Sequence, residues 1–234
     1  MQFFSTCFFF VLFIYIWVGS IVFFTSSYIF MNKLITEFLW VFFLVLVIAL
    51  SGDPLTIGVV LMVMVYMWGH VSWAHYNPAA TLAIWMRWWM WMNEALQYAL
   101  AQVLGWFFAV VVASIFGATF IPAFGPGVEI VPAFVAEFLF TFALVLVILN
   151  VATAATTKWN DYFGAAIGLI VFVWAMSVWA ISGWVFNPAV GLGPWLFDVL
   201  QWGGFAHIRV YIVATLLWWA AAAWVFGLMN PSAK

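Results

Sequence analysis

Two copies of one short motif, Asn77-Pro78-Ala79 and Asn187-Pro188-Ala189, lie 110 positions apart inside a strongly apolar sequence. Each copy stands where a helix would begin, because Asn is a good N-cap and Pro fits the first helical turn, where its missing N–H would have no partner anyway. A helix start that is buried among apolar segments is costly unless it faces a polar space. The motif pair therefore predicts two half-helices that begin at a water-filled pathway.

The two motifs belong to a longer internal repeat. Residues 37–48 and 137–148 share nine identities in twelve positions, and each segment starts with a glutamate, Glu37 or Glu137. Matching small residues stand at equal distances before each motif Asn: Gly58 and Gly168 at 19 residues, Ser72 and Ser182 at five. Chance similarity between apolar segments would not keep Glu, Gly, Ser and Asn-Pro-Ala in step, so we infer a duplication.

Composition indicates the class of protein. The chain of 234 residues is 70% hydrophobic and only 5% charged, whereas soluble domains carry roughly 25% charged residues. This favours an integral membrane protein, and the net charge of −2 gives no reason to expect a nucleic-acid partner. The single cysteine, Cys7, excludes an internal disulfide and a cysteine-based metal cluster.

Charged residues and helix breakers divide the apolar sequence into predicted membrane spans. These are residues 34–50, 55–72, 93–116, 132–152, 162–181 and 206–229. Residues 78–86 and 188–197 are too short to cross a bilayer and are predicted to be re-entrant half-helices. Residues 8–30 predict an additional transmembrane helix; the alternative is an upstream start codon before a core that begins near Met31. The predicted domains are thus 1–30, an extra N-terminal helix, and 31–234, a membrane-embedded core domain with repeat halves at about 31–117 and 130–230.

Each half contains three spans, an odd number, so the second half must enter the membrane with inverted topology. If the core begins inside, the loop charges agree with the positive-inside rule. Lys33, Arg87, Lys158 and Lys234 then fall on the cytoplasmic side, and only Arg209 falls outside. The core N-terminal side and the C-terminus are therefore predicted to be cytoplasmic.

The motifs together resemble those of the aquaporins, the major intrinsic protein family. The resemblance covers about residues 31–230 and is carried by Gly69-His70-Val71-Ser72, His75-Tyr76-Asn77-Pro78-Ala79, Ala101-Gln102-Val103-Leu104-Gly105, Ile181-Ser182-Gly183 and Asn187-Pro188-Ala189. It implies an all-α membrane protein with a right-handed inverted repeat of six transmembrane helices plus two re-entrant half-helices. It also implies a homotetramer in membrane lipid and a pore for water or a small neutral solute, with no cofactor.

Specific roles follow from this resemblance. Asn77 and Asn187 would offer N–H donors to a passing water at the bilayer midplane, where the two half-helix N-termini give a positive focus. Glu37 and Glu137 would accept hydrogen bonds from the re-entrant loops, and Gln102 would brace a loop; a proton relay through the glutamates is the alternative. Two histidines flanking the first motif are too few ligands to predict a metal site.

The sequence departs from the family pattern at the expected selectivity filter. Carried over by position, the filter is Ile57, Ala175, Trp184 and Val190, and Val190 stands where most water channels of the family have Arg. An apolar filter of this kind favours small neutral solutes or a constriction that gates by dewetting. Trp184 and Trp73 lie in the motif loops, where an indole beside a single-file pathway could close it.

Other Trp residues stand inside spans where the resemblance predicts small residues. They are Trp40, Trp68, Trp106, Trp218 and Trp219. Three explanations are open: the helices lie further apart, the rings face lipid or a partner, or a ring fills the pore.

Two functions remain as hypotheses at this point. The first is a passive channel for water or small neutral solutes; the alternative is a non-conducting, aquaporin-like structural subunit that binds other membrane subunits. The sequence contains no Ser/His/Asp set, phosphate-binding glycine loop or carboxylate pair of the kind that predicts an enzyme.

Overall fold

Eight α-helices make up most of the chain in the computed structural model, which describes residues 28–87, 89–118, 120, 122–200 and 207–231. They are α1 (Tyr28–Ser51), α2 (Pro54–Ser72), α3 (Pro78–Met86), α4 (Met92–Ile115), α5 (Ile130–Thr153), α6 (Phe163–Ser182), α7 (Pro188–Leu200) and α8 (Ile208–Met229). A short 3₁₀ turn (Ala155–Thr157) follows α5. Within these ranges six helices, all except α3 and α7, are long and apolar enough to cross a membrane.

The predicted arrangement of six spans and two half-helices is confirmed. Each predicted span overlaps one long helix, and the short segments at 78–86 and 188–197 form α3 and the first part of α7. Of the proposed additional helix at 8–30, only residues 28–30 are described, and they form the first residues of α1. The rest of that segment lies outside the described residues.

Local sequence signals explain where α2 begins. Asp53 is the N-cap, and its carboxylate accepts hydrogen bonds from the Thr56 hydroxyl at 2.6 Å and from the Thr56 backbone N–H at 2.7 Å. These bonds stabilise the ionised form and hold the pKa of Asp53 below its ordinary value. Pro54 then occupies the first helical turn, as the sequence rule predicts.

Apolar side chains cover the outside of the bundle. Leu100 on α4 and Leu217 on α8 are 59% and 56% exposed, and exposed leucine, valine and methionine side chains recur on the other long helices. In contrast, Glu37, Gln102 and Glu137 are fully buried. Polar groups inside and apolar side chains outside are expected of a protein surrounded by lipid, because exposed apolar surface costs no free energy there.

The two halves meet where α2 packs against α6, and the contact depends on two glycines. A Cβ atom added at Gly58 would lie 2.6 Å from the Cβ of Phe172 and 2.7 Å from the carbonyl oxygen of Gly168. A Cβ at Gly168 would in turn collide with the carbonyl oxygen of Gly58. The repeat glycines found in the sequence therefore allow a close crossing of the helix backbones.

We expect Gly168→Ala to destabilise the protein by about 1–3 kcal/mol, because the added methyl group must push α2 and α6 apart. Gly227→Ala is the matched control, since a Cβ at Gly227 meets no atom within 4 Å. That variant should keep or slightly raise stability, because Ala favours a helix over Gly by up to about 1 kcal/mol. Thermal unfolding of both detergent-solubilised variants measures the difference, and equal midpoints would contradict the role assigned to Gly168.

Trp218 shows how the second half departs from the first. In the first half, a Cβ at Gly105 would lie 2.5 Å from the carbonyl oxygen of Phe38, so α4 lies directly on α1. Trp218 holds the equivalent position on α8, and its ring centroid lies 3.4 Å from that of Phe138 on α5. An indole thus stands between helices where the first half has a glycine.

The other span tryptophans also pack inside the protein or between helices. Trp106 is fully buried beside Phe120, with ring centroids 6.0 Å apart. Trp40 on α1 and Trp68 on α2 contact each other at 5.9 Å. Each of these four rings contacts another aromatic ring of the protein, so exposure to lipid alone does not explain them.

Candidate functional site

The two motif asparagines cap the half-helices. The side-chain oxygen of Asn77 accepts a hydrogen bond from the Ala79 backbone N–H at 2.8 Å, and that of Asn187 accepts one from Ala189 at 3.0 Å. Both prolines occupy the first turn of their helices, α3 and α7. The helix starts predicted from the motif are confirmed, and they meet in the interior because α3 and α7 contact each other.

Each asparagine also bonds to the opposite motif loop. The Asn77 side-chain amide donates to the carbonyl oxygen of Phe186 at 3.0 Å, and the Asn187 amide donates to the carbonyl oxygen of Tyr76 at 2.9 Å. The pair is reciprocal, as expected for halves related by a pseudo-two-fold axis. Because an amide group carries two N–H bonds and these contacts use one, each asparagine keeps one donor for another partner.

The loops before the half-helices have unusual backbone conformations. Tyr76 and Phe186, the residues whose carbonyls accept those bonds, have φ values of +49° and +45°. Non-glycine residues occupy this left-handed region at a cost of roughly 1–2 kcal/mol each. Other interactions must therefore hold the loops in place.

Glu37 supplies those interactions in the first half. One carboxylate oxygen accepts hydrogen bonds from the Ser72 hydroxyl at 2.6 Å and the His75 backbone N–H at 3.0 Å. The other accepts from the Tyr76 backbone N–H at 2.7 Å and the Gln102 amide at 2.8 Å. Four donors therefore converge on one fully buried carboxylate.

Glu137 makes the equivalent contacts in the second half. It accepts hydrogen bonds from the Ser182 hydroxyl at 2.6 Å, the Val185 backbone N–H at 2.8 Å and the Phe186 backbone N–H at 2.7 Å. The glutamates thus form direct hydrogen bonds to the residues that precede the asparagines. Gln102 donates to Glu37 and also to the Thr81 hydroxyl at 3.1 Å, so it ties α3 to the same cluster.

A second symmetric pair, Tyr98 and Tyr211, was missed by the sequence reasoning. The Tyr98 hydroxyl donates to the carbonyl oxygen of Ser72 at 3.2 Å, and the Tyr211 hydroxyl donates to that of Ser182 at 2.7 Å. Each tyrosine thus bonds to the last residue of the helix that enters a motif loop. The signal was available: Tyr98 stands four residues before Gln102, and Tyr211 four before Thr215.

A narrow cavity lies beside the asparagines. This central cavity has a volume of about 70 Å³ and is lined by Asn77, Asn187 and mostly apolar side chains of α1, α2, α5 and α6. A single water needs roughly 10–15 Å³ by the same kind of measure, so a few waters fit. Three of the four predicted filter residues, Ile57, Trp184 and Val190, line it, whereas Ala175 is buried on α6 and is not among its lining residues.

Comparisons with known proteins agree with this arrangement. The family model described as Major intrinsic protein matches residues 2–226. This chain belongs to the major intrinsic protein family. Aquaporin NIP3-1 of Arabidopsis thaliana is 31% identical over 230 residues, covering 88% of this chain and 69% of the relative. Aquaporin NIP1-1 of Oryza sativa subsp. japonica is 33% identical over 223 residues, covering 88% and 76%.

A solved structure shows the same fold. The aquaglyceroporin from Plasmodium falciparum superposes with a TM-score of 0.76 at 20% identity, covering 87% of this chain and 98% of that one. Aquaporin-family members are channels for water or small solutes and are not enzymes, and this chain is an integral, multi-pass membrane protein of that class.

Trp184, one of the predicted filter residues, packs among other aromatic rings. Its ring stacks on Trp179 with centroids 5.3 Å apart and an interplanar angle of 17°, and Phe120 lies at 6.0 Å. The side chain is only 5% exposed. Neighbouring aromatic rings therefore hold the indole against the central cavity. Trp73, the other loop tryptophan, is 57% exposed and lies outside that cavity.

A wider cavity, which we call the vestibule, lies at one end of the bundle. Its volume is about 720 Å³, and it shares Val65, Ala74, His75, Ile148 and Ile167 with the central cavity. The two spaces are therefore adjacent. His75 is buried between them and its ring contacts the Thr81 hydroxyl at 3.1 Å. Among the described residues no group of three His, Cys, Asp or Glu side chains could hold a metal ion.

Proposed function

We propose that this chain is a passive channel for water and small neutral solutes, with a pathway that passes between Asn77 and Asn187. The observation that carries the proposal is the reciprocal hydrogen bonding of the two asparagines at the central cavity. It fixes both amide groups and leaves one N–H donor on each. Those donors are suited to a solute oxygen that travels in single file.

Electrostatics supports exclusion of ions along this pathway. The N-terminal ends of α3 and α7 carry partial positive charge and contact each other in the interior. A water that accepts hydrogen bonds from both asparagines must point its own hydrogens away from them, which interrupts proton relay. Protons and other cations therefore meet a barrier that a neutral solute does not.

The residues at the predicted filter positions fit a pathway for small neutral solutes better than a narrow water filter lined by arginine. Ile57 and Val190 contribute only hydrocarbon to the central cavity, and Trp184 has a single donor in its indole N–H. A solute with both an apolar face and a hydroxyl group matches such a lining better than a charged solute does. Ala175 adds no polar group on α6.

The proposed orientation places the vestibule end in the cytoplasm. Arg87 and Lys158 line the vestibule, and Lys33 lines an adjacent cavity that shares Trp73 and Trp89 with it. Arg209 is in the first turn of α8, at the opposite end. The positive-inside rule then supports a cytoplasmic vestibule. The homotetramer and the domain boundaries at 30/31 stay predictions from the family resemblance and the sequence.

The test of the pathway is Asn187→Asp in reconstituted liposomes. Aspartate cannot donate to the Tyr76 carbonyl oxygen and adds a negative charge where the helix ends are positive. We expect water and glycerol permeability per folded protein to fall about fivefold or more, because a lost buried hydrogen bond of 1–3 kcal/mol displaces the loop. Sodium leak should rise as the cation barrier weakens.

Asn230→Asp is the matched control, because Asn230 caps the C-terminal end of α8 and bonds only to the Phe226 carbonyl oxygen among the described contacts. Its permeability should equal that of the wild type. Stopped-flow light scattering after an osmotic step measures both solutes. Equal permeability of Asn187→Asp and wild type would contradict a pathway between the asparagines.

A second function, a non-conducting structural subunit, is favoured by one observation. The Trp184 indole is held against a central cavity of only about 70 Å³. If wild-type protein that is correctly folded gives liposomes no more permeable than empty ones, the structural function replaces the channel function. The same protein should then co-purify with other membrane subunits of its native membrane.

A further inference from the structure

The vestibule has a charge pattern that the conduction of neutral solutes does not require. Arg87 and Lys158 both line it, together with the polar rings of His70 and His75. Among the described residues that line it, none is acidic. Cationic side chains on the wall of a concave, partly apolar space focus a positive electrostatic potential into its interior. The vestibule therefore attracts anions although the proposed solutes are uncharged.

Arg87 is held in place but is not fully paired. One terminal nitrogen donates to the Thr153 carbonyl oxygen at 3.3 Å, and the guanidinium carbon lies 4.4 Å from the ring centroid of Phe226. Its Nε atom is buried and has no hydrogen-bond partner in the described part of the protein. A guanidinium group has five N–H donors, four of them on its two terminal nitrogens. The described contacts use one of those four, so the terminal nitrogens can still donate to an acceptor in the vestibule.

The walls around these cations are aromatic. Trp73 and Trp89 contact each other with ring centroids 5.5 Å apart, and both line the vestibule. Trp159 also lines it, and the Lys158 ammonium lies 5.2 Å from the Trp159 ring centroid. Such walls bind an apolar or aromatic body by burying its surface. The space of about 720 Å³ is within the range of small-molecule sites, roughly 300–1,000 Å³.

We propose that the vestibule is a binding site for an organic anion, with a phosphate or carboxylate group held by Arg87 and Lys158 and an apolar body packed on Trp73, Trp89 and Trp159. Because the vestibule and the central cavity share lining residues, a bound anion covers the mouth of the pathway. The site thus gives the protein a ligand that blocks conduction without being conducted. The anionic group comes either from a free metabolite or from a lipid headgroup.

Direct binding tests this site without requiring conduction. Isothermal titration calorimetry of the full-length protein in uncharged detergent uses phenyl phosphate as the probe. Phenol is the control that has the ring without the charge, and inorganic phosphate is the control that has the anionic group without the ring. Phenyl phosphate should bind more tightly than either. Arg87→Gln and Lys158→Gln should each weaken its binding about tenfold or more, because each removes a charge-assisted hydrogen bond.

Arg209→Gln is the matched control. Arg209 lies 17 residues before Phe226 on α8, which places it about 25 Å from the Arg87 end of that helix. Its loss removes the same charge from the protein and should leave phenyl phosphate binding unchanged. Circular dichroism and gel filtration confirm that each variant is folded, and Arg87→Lys should keep part of the affinity because it retains the charge without the planar fork.

Permeability measurements distinguish the two sources of the anion. In phosphatidylcholine liposomes, phenyl phosphate on the vestibule side should reduce glycerol flux of the wild type but not of Lys158→Gln. In liposomes that also contain phosphatidylglycerol, a lipid headgroup source predicts low flux before any probe is added. A free-metabolite source predicts the same flux in both lipids.

The binding and conduction outcomes are separable. Titration that detects no preference for phenyl phosphate over phenol, or a preference that Arg209→Gln weakens as much as Arg87→Gln does, overturns the anion site. Binding that follows the expected variant pattern in a protein with no measurable permeability sustains the anion site and removes only the proposed channel function.

Discussion

Trp184→Ala is expected to raise the permeability of reconstituted liposomes to glycerol several-fold. The Trp184 indole lines a central cavity of about 70 Å³ and is held there by stacking on Trp179 and contact with Phe120. Alanine removes the ring and keeps the Cβ, so the left-handed backbone at φ +52° experiences the same steric conditions. The change therefore isolates the effect of the ring on the width of the pathway.

The effect should be larger for glycerol than for water, because a wider constriction benefits the larger solute more. Trp224→Ala is the matched control; that indole is 64% exposed on α8 and lies outside the central cavity. Its glycerol and water permeability should match the wild type. If Trp184→Ala leaves both permeabilities at the wild-type level, the ring does not limit the pathway.

Glu37→Gln is expected to lower stability by about 1–3 kcal/mol, the cost of leaving a buried hydrogen-bond donor without its acceptor. One carboxylate oxygen faces the Tyr76 backbone N–H and the Gln102 amide, and the other faces the His75 backbone N–H and the Ser72 hydroxyl. Backbone and amide N–H groups only donate. Whichever way the new amide turns, its NH₂ group meets a donor in a buried site.

The second half provides a comparison. In Glu137→Gln, the NH₂ group can face the single donor of Phe186 instead of two donors, so the loss should be smaller than for Glu37→Gln. Glu129→Gln, at an exposed residue that makes no side-chain cap bond, should change little. Thermal unfolding in detergent ranks the stabilities of the three variants. A Glu37 variant as stable as the Glu129 variant would contradict the role of Glu37 in bracing the motif loop.

Much of the architecture follows from the sequence because it depends on local physics. Apolar segments of about 20 residues predict spans, and the Asn-Pro starts of α3 and α7 predict caps that need only the next two residues. The duplication adds the inverted topology, since three spans in each half leave no other arrangement. The family resemblance also predicted that Glu37 and Glu137 accept hydrogen bonds from the re-entrant loops.

The tertiary structure decided which distant groups meet. Asn77 and Phe186 bond across the two halves, and Tyr98 reaches the end of α2, because folding brings loops from different parts of the chain together. No spacing rule predicts such contacts, since each depends on helix crossings that are set by many packed side chains.

The same distinction applies to the pathway. The sequence by itself determined that a pair of capped half-helices would begin inside a membrane bundle, and the family resemblance predicted apolar residues at the filter positions. Only the tertiary structure placed Ile57, Trp184 and Val190 on one narrow cavity, left Ala175 away from its lining, and brought Arg87 and Lys158 together on the neighbouring vestibule. The physical reason is that helix starts are fixed by neighbouring residues, whereas the width and charge of a cavity are fixed by how separate helices pack.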